Sequence, residues 1–193
     1  MKIRNFMNKY IDNLKKLLDN VDADILENIC VELEKTVVNK SKVYVIGNGG
    51  SSATASHMAN DLGIGLRRRD IININIVSLG DNSAVTSAIA NDIGFENIFC
   101  MQLKGILKPE DVIIAISCSG NSPNIIKAVN YANEIGSTVI GVTGFDGGKL
   151  KEGSNINFHV EAPNGEYGLV EDMHMILDHM IYSYYIDRGS KNG

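Results

Sequence analysis

The chain has 193 residues, 44% of them hydrophobic, which is enough for one globular domain with a buried core. Its formal net charge of −5 argues against general nucleic-acid binding, and no apolar run approaches the ~20 residues that a membrane span needs. The three cysteines, Cys30, Cys100 and Cys118, have no CxxC spacing, and the amino terminus lacks the apolar stretch of a signal peptide. We therefore expect a cytoplasmic protein with reduced thiols and with no membrane or nucleic-acid partner.

Two amphipathic helices are predicted at the start of the chain, over residues 3–20 and 23–40. In the first, apolar side chains such as Phe6 and Tyr10 recur at helical spacing. We expect this hairpin, residues 1–40, to contact another subunit through its apolar stripe. Packing on the sheet of the same subunit is the alternative.

From residue 41 to residue 193, strands alternate with helices. Strand-length apolar runs occupy residues 43–46, 74–79, 111–117, 138–143 and 156–160. Helical patterns occupy residues 52–66, 83–107 in two pieces, 122–135 and 170–187. This alternation predicts an α/β three-layer sandwich, in which helices cover both faces of a five-stranded parallel sheet, within a single domain over residues 1–193.

Two loops of small residues follow the first and third predicted strands. Residues 47–52 read Gly-Asn-Gly-Gly-Ser-Ser, and residues 117–122 read Ser-Cys-Ser-Gly-Asn-Ser. Each loop opens a helix, whose unpaired N–H groups suit a phosphate, while glycine permits close approach and serine adds hydroxyl donors. The first loop matches neither a dinucleotide fingerprint nor a Walker loop. The alternatives are a plain tight turn for the first loop and a capped helix without ligand for the second.

Side chains with catalytic or ligating chemistry lie close to these loops in sequence. His57 and Asp61 are four residues apart on one helical face, so they are suited to hold a divalent metal or to act as acid and base. A surface ion pair without function is the alternative. In the second loop, Ser122 before Pro123 is a suitable N-cap, and Cys118 is interpreted as a packing residue rather than a nucleophile.

The last predicted helix holds two histidines and several carboxylates. His174 and His179 point ~140° apart on an ideal helix, so they do not face one site. Glu171 and His179 are separated by ~12 Å along the axis and converge only if Glu171 lies at the start of the helix. His174 and Asp178 are expected to form a structural pair, and a core or interface role is the alternative for His179.

The ordered combination of these features resembles the sugar isomerase (SIS) domain and, within it, the phosphoheptose isomerase family. The resemblance covers nearly the whole chain. It rests on the amino-terminal hairpin, residues 47–51, residues 90–96 (Ala-Asn-Asp-Ile-Gly-Phe-Glu), residues 117–122, residues 143–148 (Thr-Gly-Phe-Asp-Gly-Gly) and the last helix with His179. It implies a flavodoxin-like SIS fold and a cytoplasmic homotetramer with active sites between subunits.

The resemblance also implies the site residues. Substrate contacts carry over to Asn48, Gly49, Gly50, Ser51, Asp61, Asn91, Asp92, Ser117, Cys118, Ser119, Ser122 and Glu171. Family zinc ligands, with one Zn²⁺ per subunit, carry over to His57, Asp61, Glu171 and His179. The family usually has Glu in place of Asp61 and Gln in place of Glu171. Asp reaches roughly 1.5 Å less far than Glu, and replacing Gln by Glu adds a negative charge that favours a dication.

The activity that the resemblance implies is conversion of sedoheptulose 7-phosphate to D-glycero-D-manno-heptose 7-phosphate, for bacterial lipopolysaccharide or capsule. We expect an aldose–ketose isomerisation through a metal-assisted enediol, with Asp61 and His179 as the catalytic acid–base pair. The roles of ligand and base compete at these residues. The alternatives are an isomerase of another sugar phosphate and a non-catalytic SIS protein that binds phosphosugars or the bacterial replication initiator.

Overall fold

The computed structural model describes residues 2–190, and its elements follow the predicted order. The strands are β1 (Val43–Gly47), β2 (Ile76–Ser78), β3 (Val112–Ser117), β4 (Thr138–Gly144) and β5 (Ile156–Val160). The helices are α1 (Ile3–Asp19), α2 (Ala23–Asn39), α3 (Gly50–Met58), α4 (Ser83–Ile93), α5 (Cys100–Leu103), α6 (Pro123–Ile135), α7 (Gly148–Gly153) and α8 (Tyr167–Ser190). Within residues 2–190, no helix has the length and apolar character needed to cross a membrane.

All five strands lie parallel in one sheet, in the order β2-β1-β3-β4-β5. In this register Val45 of β1 lies between Ser78 of β2 and Ile114 of β3. After β1 the chain adds β2 on one side and then returns to add β3 on the other, so the strand order reverses between β1 and β3. In open α/β sheets, ligands bind outside the carboxyl ends of the strands at such a point. The predicted α/β sandwich is confirmed, and its topology indicates where a ligand binds.

Hydrophobic cores lie on both faces of the sheet because side chains alternate along each strand. Val43 and Val45 belong to the core beneath α2, α3 and α8. Tyr44 and Ile46 belong to the core beneath α5, α6 and α7. Every residue of β1 is buried, which explains why this strand is a continuous apolar run rather than an alternating one.

The two helices of the amino-terminal hairpin differ in their packing. α2 buries Ile29 and Leu33 in the core against the sheet. α1 has no buried residue, and its side chains Ile3, Phe6 and Met7 are 80%, 47% and 49% exposed. Packing on the sheet is therefore correct for α2, whereas much of the apolar face of α1 stays exposed in the protomer.

Several element boundaries differ from the prediction. The helix predicted over residues 52–66 continues from α3 into a π-helical segment, Ala59–Gly65. α4 ends at Ile93 and is followed by Gly94, whose φ of 97° is available to glycine at little cost. The short helix α7 was not predicted, and α8 begins at Tyr167 rather than at residue 170. The early start of α8 matters because it fixes the directions of the side chains in its first turns.

Candidate active site

The two Gly/Ser loops, residues 47–52 and 117–122, meet at the carboxyl ends of the neighbouring strands β1 and β3. Together they line a pocket of about 210 Å³, here called the loop pocket. Its walls are formed by Asn48, Ser51, Ile116, Ser117, Cys118, Ser119, Ser122, Tyr167 and Glu171. Most of the residues that the sequence predicts as substrate contacts therefore surround one cavity, at the switch point of the sheet.

Glycine allows the amino terminus of α3 to approach a negative group closely. Gly49, the N-cap residue, has φ 53° and ψ −122°, a conformation that residues with a Cβ rarely adopt. At Gly50, the Glu171 carboxylate occupies the space that a Cβ would need. The first N–H groups of a helix lack intrahelical acceptors and favour negative charge. The position of this carboxylate therefore shows where an oxygen of a ligand can be held.

A pair of asparagine side chains ties the two loops together. Asn48 Nδ2 donates to Asn124 Oδ1 at 2.9 Å, and Asn124 Nδ2 donates to Asn48 Oδ1 at 2.8 Å. Asn124 is buried, and its Oδ1 also accepts the Ile125 N–H at 2.9 Å. Asn124 was not predicted from the sequence. The available signal was an amide side chain in the first turn of the helix that follows the second loop, next to β1 across the switch point.

The hydroxyl of Ser122 is not used to cap its helix. Ser122 occupies the N-cap of α6 with Pro123 at the first helical position, as predicted, but its side chain makes no capping hydrogen bond. Its Oγ lies 3.4 Å from Oγ of Ser117, which accepts the Gly120 N–H at 3.1 Å. A hydroxyl that capping does not consume is available as a donor or acceptor for a ligand.

Cys118 lines the loop pocket as a buried thiol. Burial, followed by the nearby Glu171 carboxylate, raises the pKa of the Cys118 thiol to about 11. The reactive thiolate is therefore disfavoured at neutral pH, which agrees with the predicted packing role and argues against a nucleophile.

A second group of polar side chains forms where the end of α3 meets α8. One donor atom from each of His57, Asp61, Asp178 and His179 lies within 4.8 Å of the others, and we call this group the four-donor cluster. His57 Nε2 lies 3.2 Å from His179 Nε2, 3.4 Å from Asp61 Oδ2 and 3.9 Å from Asp178 Oδ2. Imidazole nitrogens and carboxylate oxygens are ligands that Zn²⁺ accepts, and they also transfer protons.

The π-helical segment shapes one side of this cluster. Asp61 lies in that segment, and single π-helical turns inside helices are frequent at functional sites. The Oδ1 atom of Asp61 accepts a hydrogen bond from the side-chain amide of Asn60 at 2.9 Å. The carboxylate is thus held at one oxygen, while the other oxygen faces His57.

Asp178 is the member of the cluster that was not predicted from the sequence. Its side chain is 0% exposed, and neither carboxylate oxygen has a hydrogen-bond partner among residues 2–190. The predicted pair with His174 is wrong, because His174 Nε2 lies 3.1 Å from the carbonyl oxygen of Thr143 instead. Burial, followed by the neighbouring Asp61 carboxylate, raises the pKa of Asp178 to about 7. The signal in the sequence was a carboxylate directly beside His179.

Two parts of the predicted site lie apart from the four-donor cluster. Because α8 begins at Tyr167, Glu171 lies inside the helix, and its carboxylate contacts Gly50 rather than the cluster. Asn91 and Asp92 are exposed at the end of α4, where Asn91 Nδ2 donates to Asp92 Oδ1 at 2.9 Å. Neither of these two residues lines the loop pocket of the same protomer. The cluster thus contains three of the four ligands expected by resemblance, with Asp178 in addition.

A wider cleft of about 780 Å³ lies between the α1–α2 turn and β5. Its polar lining includes Asp22, Asn157 and Glu161, and it contains no residue of either Gly/Ser loop or of the four-donor cluster. We place the candidate active site at the loop pocket and the cluster because loop hydroxyls, imidazoles and carboxylates converge there, which volume alone does not provide.

Comparisons with known proteins identify the family to which the chain belongs. Residues 9–144 match the family model of the SIS domain. The phosphoheptose isomerase of Helicobacter pylori (strain P12) is 33% identical over 168 residues, which cover 87% of this chain and 85% of that protein. The phosphoheptose isomerase of Aliarcobacter butzleri (strain RM4018) is 34% identical over 166 residues, covering 82% and 86%. The structure of phosphoheptose isomerase GmhA from Neisseria gonorrhoeae matches with a TM-score of 0.83 at 26% identity, covering 96% of this chain and 97% of that one. The chain therefore belongs to the SIS-domain proteins and, within them, to the phosphoheptose isomerase family of sugar-phosphate isomerases.

Proposed function

We propose that this protein converts sedoheptulose 7-phosphate to D-glycero-D-manno-heptose 7-phosphate in the cytoplasm, as a precursor of bacterial surface polysaccharide. The observation that carries the proposal is the presence, in one protomer, of a loop pocket suited to a phosphate and an imidazole–carboxylate cluster suited to proton transfer. Relatives named phosphoheptose isomerase, which match most of both chains, support the same function.

The loop pocket binds the phosphorylated end of the sugar. The amino termini of α3 and α6 supply backbone N–H groups, and the hydroxyls of Ser119 and Ser122 supply further donors. Because the chain has a net charge of −5, these local donors hold the anion, rather than the overall field of the protein. The phosphate is thereby anchored away from the carbons that react.

The four-donor cluster moves the proton. Isomerisation transfers a proton between C1 and C2 through an enediol, so it needs a base near the carbons and an acid near the carbonyl oxygen. We assign these roles to Asp61 and His179. His179 is exposed and Asp61 is half-buried, so a sugar can reach both side chains. The hydrogen bond from Asn60 orients the Asp61 carboxylate through Oδ1, while Oδ2 faces His57.

A divalent cation fits the cluster, because two imidazoles and two carboxylates form a donor set typical of zinc. We propose Zn²⁺, with one ion per subunit, held by His57, Asp61 and His179. The family resemblance assigns Glu171 as the fourth ligand. When bound, such a cation polarises the sugar carbonyl and stabilises the charge that develops on its oxygen.

We also propose that the protein is a homotetramer with active sites between subunits. The exposed apolar side chains of α1, Ile3 and Phe6 among them, form a surface that a neighbouring subunit would bury. α4 likewise has no buried residue, and it carries Asn91 and Asp92 outside the loop pocket of its own protomer. In the tetramer these two residues would contact the substrate of a neighbouring subunit. Analytical ultracentrifugation of the purified protein measures the oligomeric state.

Proton NMR of sedoheptulose 7-phosphate, incubated with the purified protein and zinc in deuterated water, tests the proposed activity. We expect new aldose signals, with deuterium entering at C2. An unchanged ketose that exchanges no proton, although sugar phosphates raise the melting temperature of the protein, would indicate a phosphosugar-binding protein instead. Turnover of a different ketose phosphate alone would indicate an isomerase of another sugar.

A further inference from the structure

We infer that Asp178, in place of Glu171, supplies the fourth ligand of the cation site. The inference rests on the cation of the proposed function, and it is independent of which sugar is isomerised. It makes the ligand set His57, Asp61, Asp178 and His179, which places two ligands on α8 and two on the helical segment that follows β1.

The spacing of the donor atoms fits a tetrahedral site. Atoms that surround Zn²⁺ at roughly 2.0–2.1 Å in a tetrahedron lie about 3.4 Å from one another. From His57 Nε2, the other donors lie at 3.2 Å (His179 Nε2), 3.4 Å (Asp61 Oδ2) and 3.9 Å (Asp178 Oδ2). All four atoms lie within 4.8 Å of one another, close to the spacing that a single ion requires.

The burial of Asp178 favours a cation as the binding partner of its carboxylate. Its side chain is 0% exposed, and among the described residues neither of its oxygens has a hydrogen-bond partner. A buried carboxylate without a partner is costly, so native proteins pair such groups with a hydrogen-bond donor, an opposite charge or a metal. The oxygens of Asp178 lie beside two imidazoles and a second carboxylate, where a divalent cation satisfies all four groups at once.

Glu171 is held at the other end of the site. It lies eight residues before His179 on α8, which corresponds to about 12 Å along the helix axis. Its carboxylate contacts Gly50 at the amino terminus of α3 and lines the loop pocket. The charge of Glu171 therefore acts on whatever the loop pocket binds, and Asp178 provides the second carboxylate of the cluster.

Metal titration of matched variants tests this assignment without any sugar. Asp178→Asn removes one charge at constant size, and Glu171→Gln makes the same chemical change at the position that we exclude. We would measure Co²⁺ binding by the visible absorption of the ion, and Zn²⁺ affinity by competition with a chromophoric chelator. We expect Asp178→Asn to weaken Zn²⁺ binding by about 100-fold or more, and Glu171→Gln to leave the affinity unchanged.

Two further measurements separate a ligand from a merely structural residue. Without metal, Asp178→Asn should be at least as stable as the wild type to urea, because it removes a buried carboxyl group that has no hydrogen-bond partner among the described residues. The rise in melting temperature with Zn²⁺ should disappear in this variant. X-ray absorption of the zinc-loaded wild type, combined with anomalous diffraction, identifies the ligating oxygens even if the variant does not fold.

Several outcomes would overturn the inference. These are an unchanged Zn²⁺ affinity in Asp178→Asn, a loss of affinity in Glu171→Gln alone, or a wild type that binds neither Co²⁺ nor Zn²⁺. The NMR assay with sedoheptulose 7-phosphate stands apart from these results. A protein that isomerises the sugar without binding metal refutes the ligand assignment only, and one that binds metal through Asp178 but leaves the sugar unchanged refutes the proposed substrate only.

Discussion

Two buried aspartates, Asp111 before β3 and Asp178 in α8, have opposite surroundings. Asp111 is 3% exposed, and its two oxygens accept the N–H groups of Lys42 at 2.8 Å and Lys108 at 3.0 Å. Asp178 is 0% exposed, and within residues 2–190 its oxygens have no hydrogen-bond partner. The same side chain at the same depth thus accepts hydrogen bonds at both oxygens in one region and at neither in the other.

This difference distinguishes an aspartate that stabilises the fold from one that lies in the candidate active site. At the amino-terminal end of β3, Asp111 accepts two backbone N–H groups, so it stabilises the entry to the strand. In the four-donor cluster the polar groups face one another, and the pairing is left incomplete. Changes at Asp111 should therefore alter the free energy of unfolding, whereas changes in the four-donor cluster should alter binding and turnover.

The largest expected effect concerns the four-donor cluster. His179→Asn should lower kcat by about 1000-fold, because it removes one member of the proposed acid–base pair. The free energy of unfolding should change by no more than about 0.5 kcal/mol, since the side chain is exposed. Kinetics with sedoheptulose 7-phosphate and urea unfolding measure the two quantities. Turnover at the wild-type rate would show that His179 is not the acid or base, and binding of the sugar phosphate should persist in the variant.

The matching change at the hydrogen-bonded aspartate before β3 is Asp111→Asn. We expect the free energy of unfolding to fall by about 3 kcal/mol, because one of two charge-assisted hydrogen bonds is lost and an amide N–H₂ then faces a backbone donor. The kcat of the folded fraction should equal that of the wild type. Urea titration followed by circular dichroism measures the loss. A fully stable variant would remove the contrast between the two aspartates.

A buried histidine makes the stability depend on pH. Burial lowers the pKa of His174 from 6.5 to about 4, so between these values the unfolded state binds a proton that the folded state does not. As the pH falls from about 7 to about 4, this group therefore lowers the free energy of unfolding by about 3 kcal/mol, whereas the raised pKa of Asp178 acts in the opposite direction in the metal-free protein. His174→Gln retains a donor for the Thr143 carbonyl and should lose the His174 contribution, so its stability relative to the wild type should increase as the pH falls over this range. The lowered pKa of His159 acts in the same direction and is retained in the variant. If the free energy of unfolding of His174→Gln depends on acidic pH in the same way as that of the wild type, other groups are responsible for the dependence.

The smallest expected effect concerns Ser122. Ser122→Ala should raise KM for the sugar phosphate roughly tenfold, because one hydroxyl donor of the loop pocket is lost. Stability should stay within about 0.5 kcal/mol of the wild type, since this N-cap makes no side-chain capping bond. Steady-state kinetics and thermal unfolding measure both quantities. A loss of stability of about 1 kcal/mol without a change in KM would mean that the hydroxyl serves as a cap after all.

The sequence by itself determined the layered fold and the position of the loops. Apolar runs of strand length alternate with helical patterns, and this periodicity depends on local burial, so it predicted each of the five strands. A parallel sheet places the carboxyl ends of its strands on one edge, so the Gly/Ser loops after β1 and β3 were expected to meet there. The pairing of His57 with Asp61 also follows from spacing alone, because residues four apart share a helical face.

Only the tertiary structure decided which distant side chains join these groups. The contacts between Asn48 and Asn124, and between Glu171 and Gly50, depend on how loops and helices pack across the sheet. Asp178 enters the four-donor cluster because α8 packs against α3 and against the π-helical segment that carries Asp61. Sequence spacing determines the axial rise and the azimuth between two side chains of one helix. The docking angle between two helices depends instead on side-chain packing over the whole interface. For that reason the sequence predicted the elements that carry the site, and the packing between them selected Asp178 for the cluster.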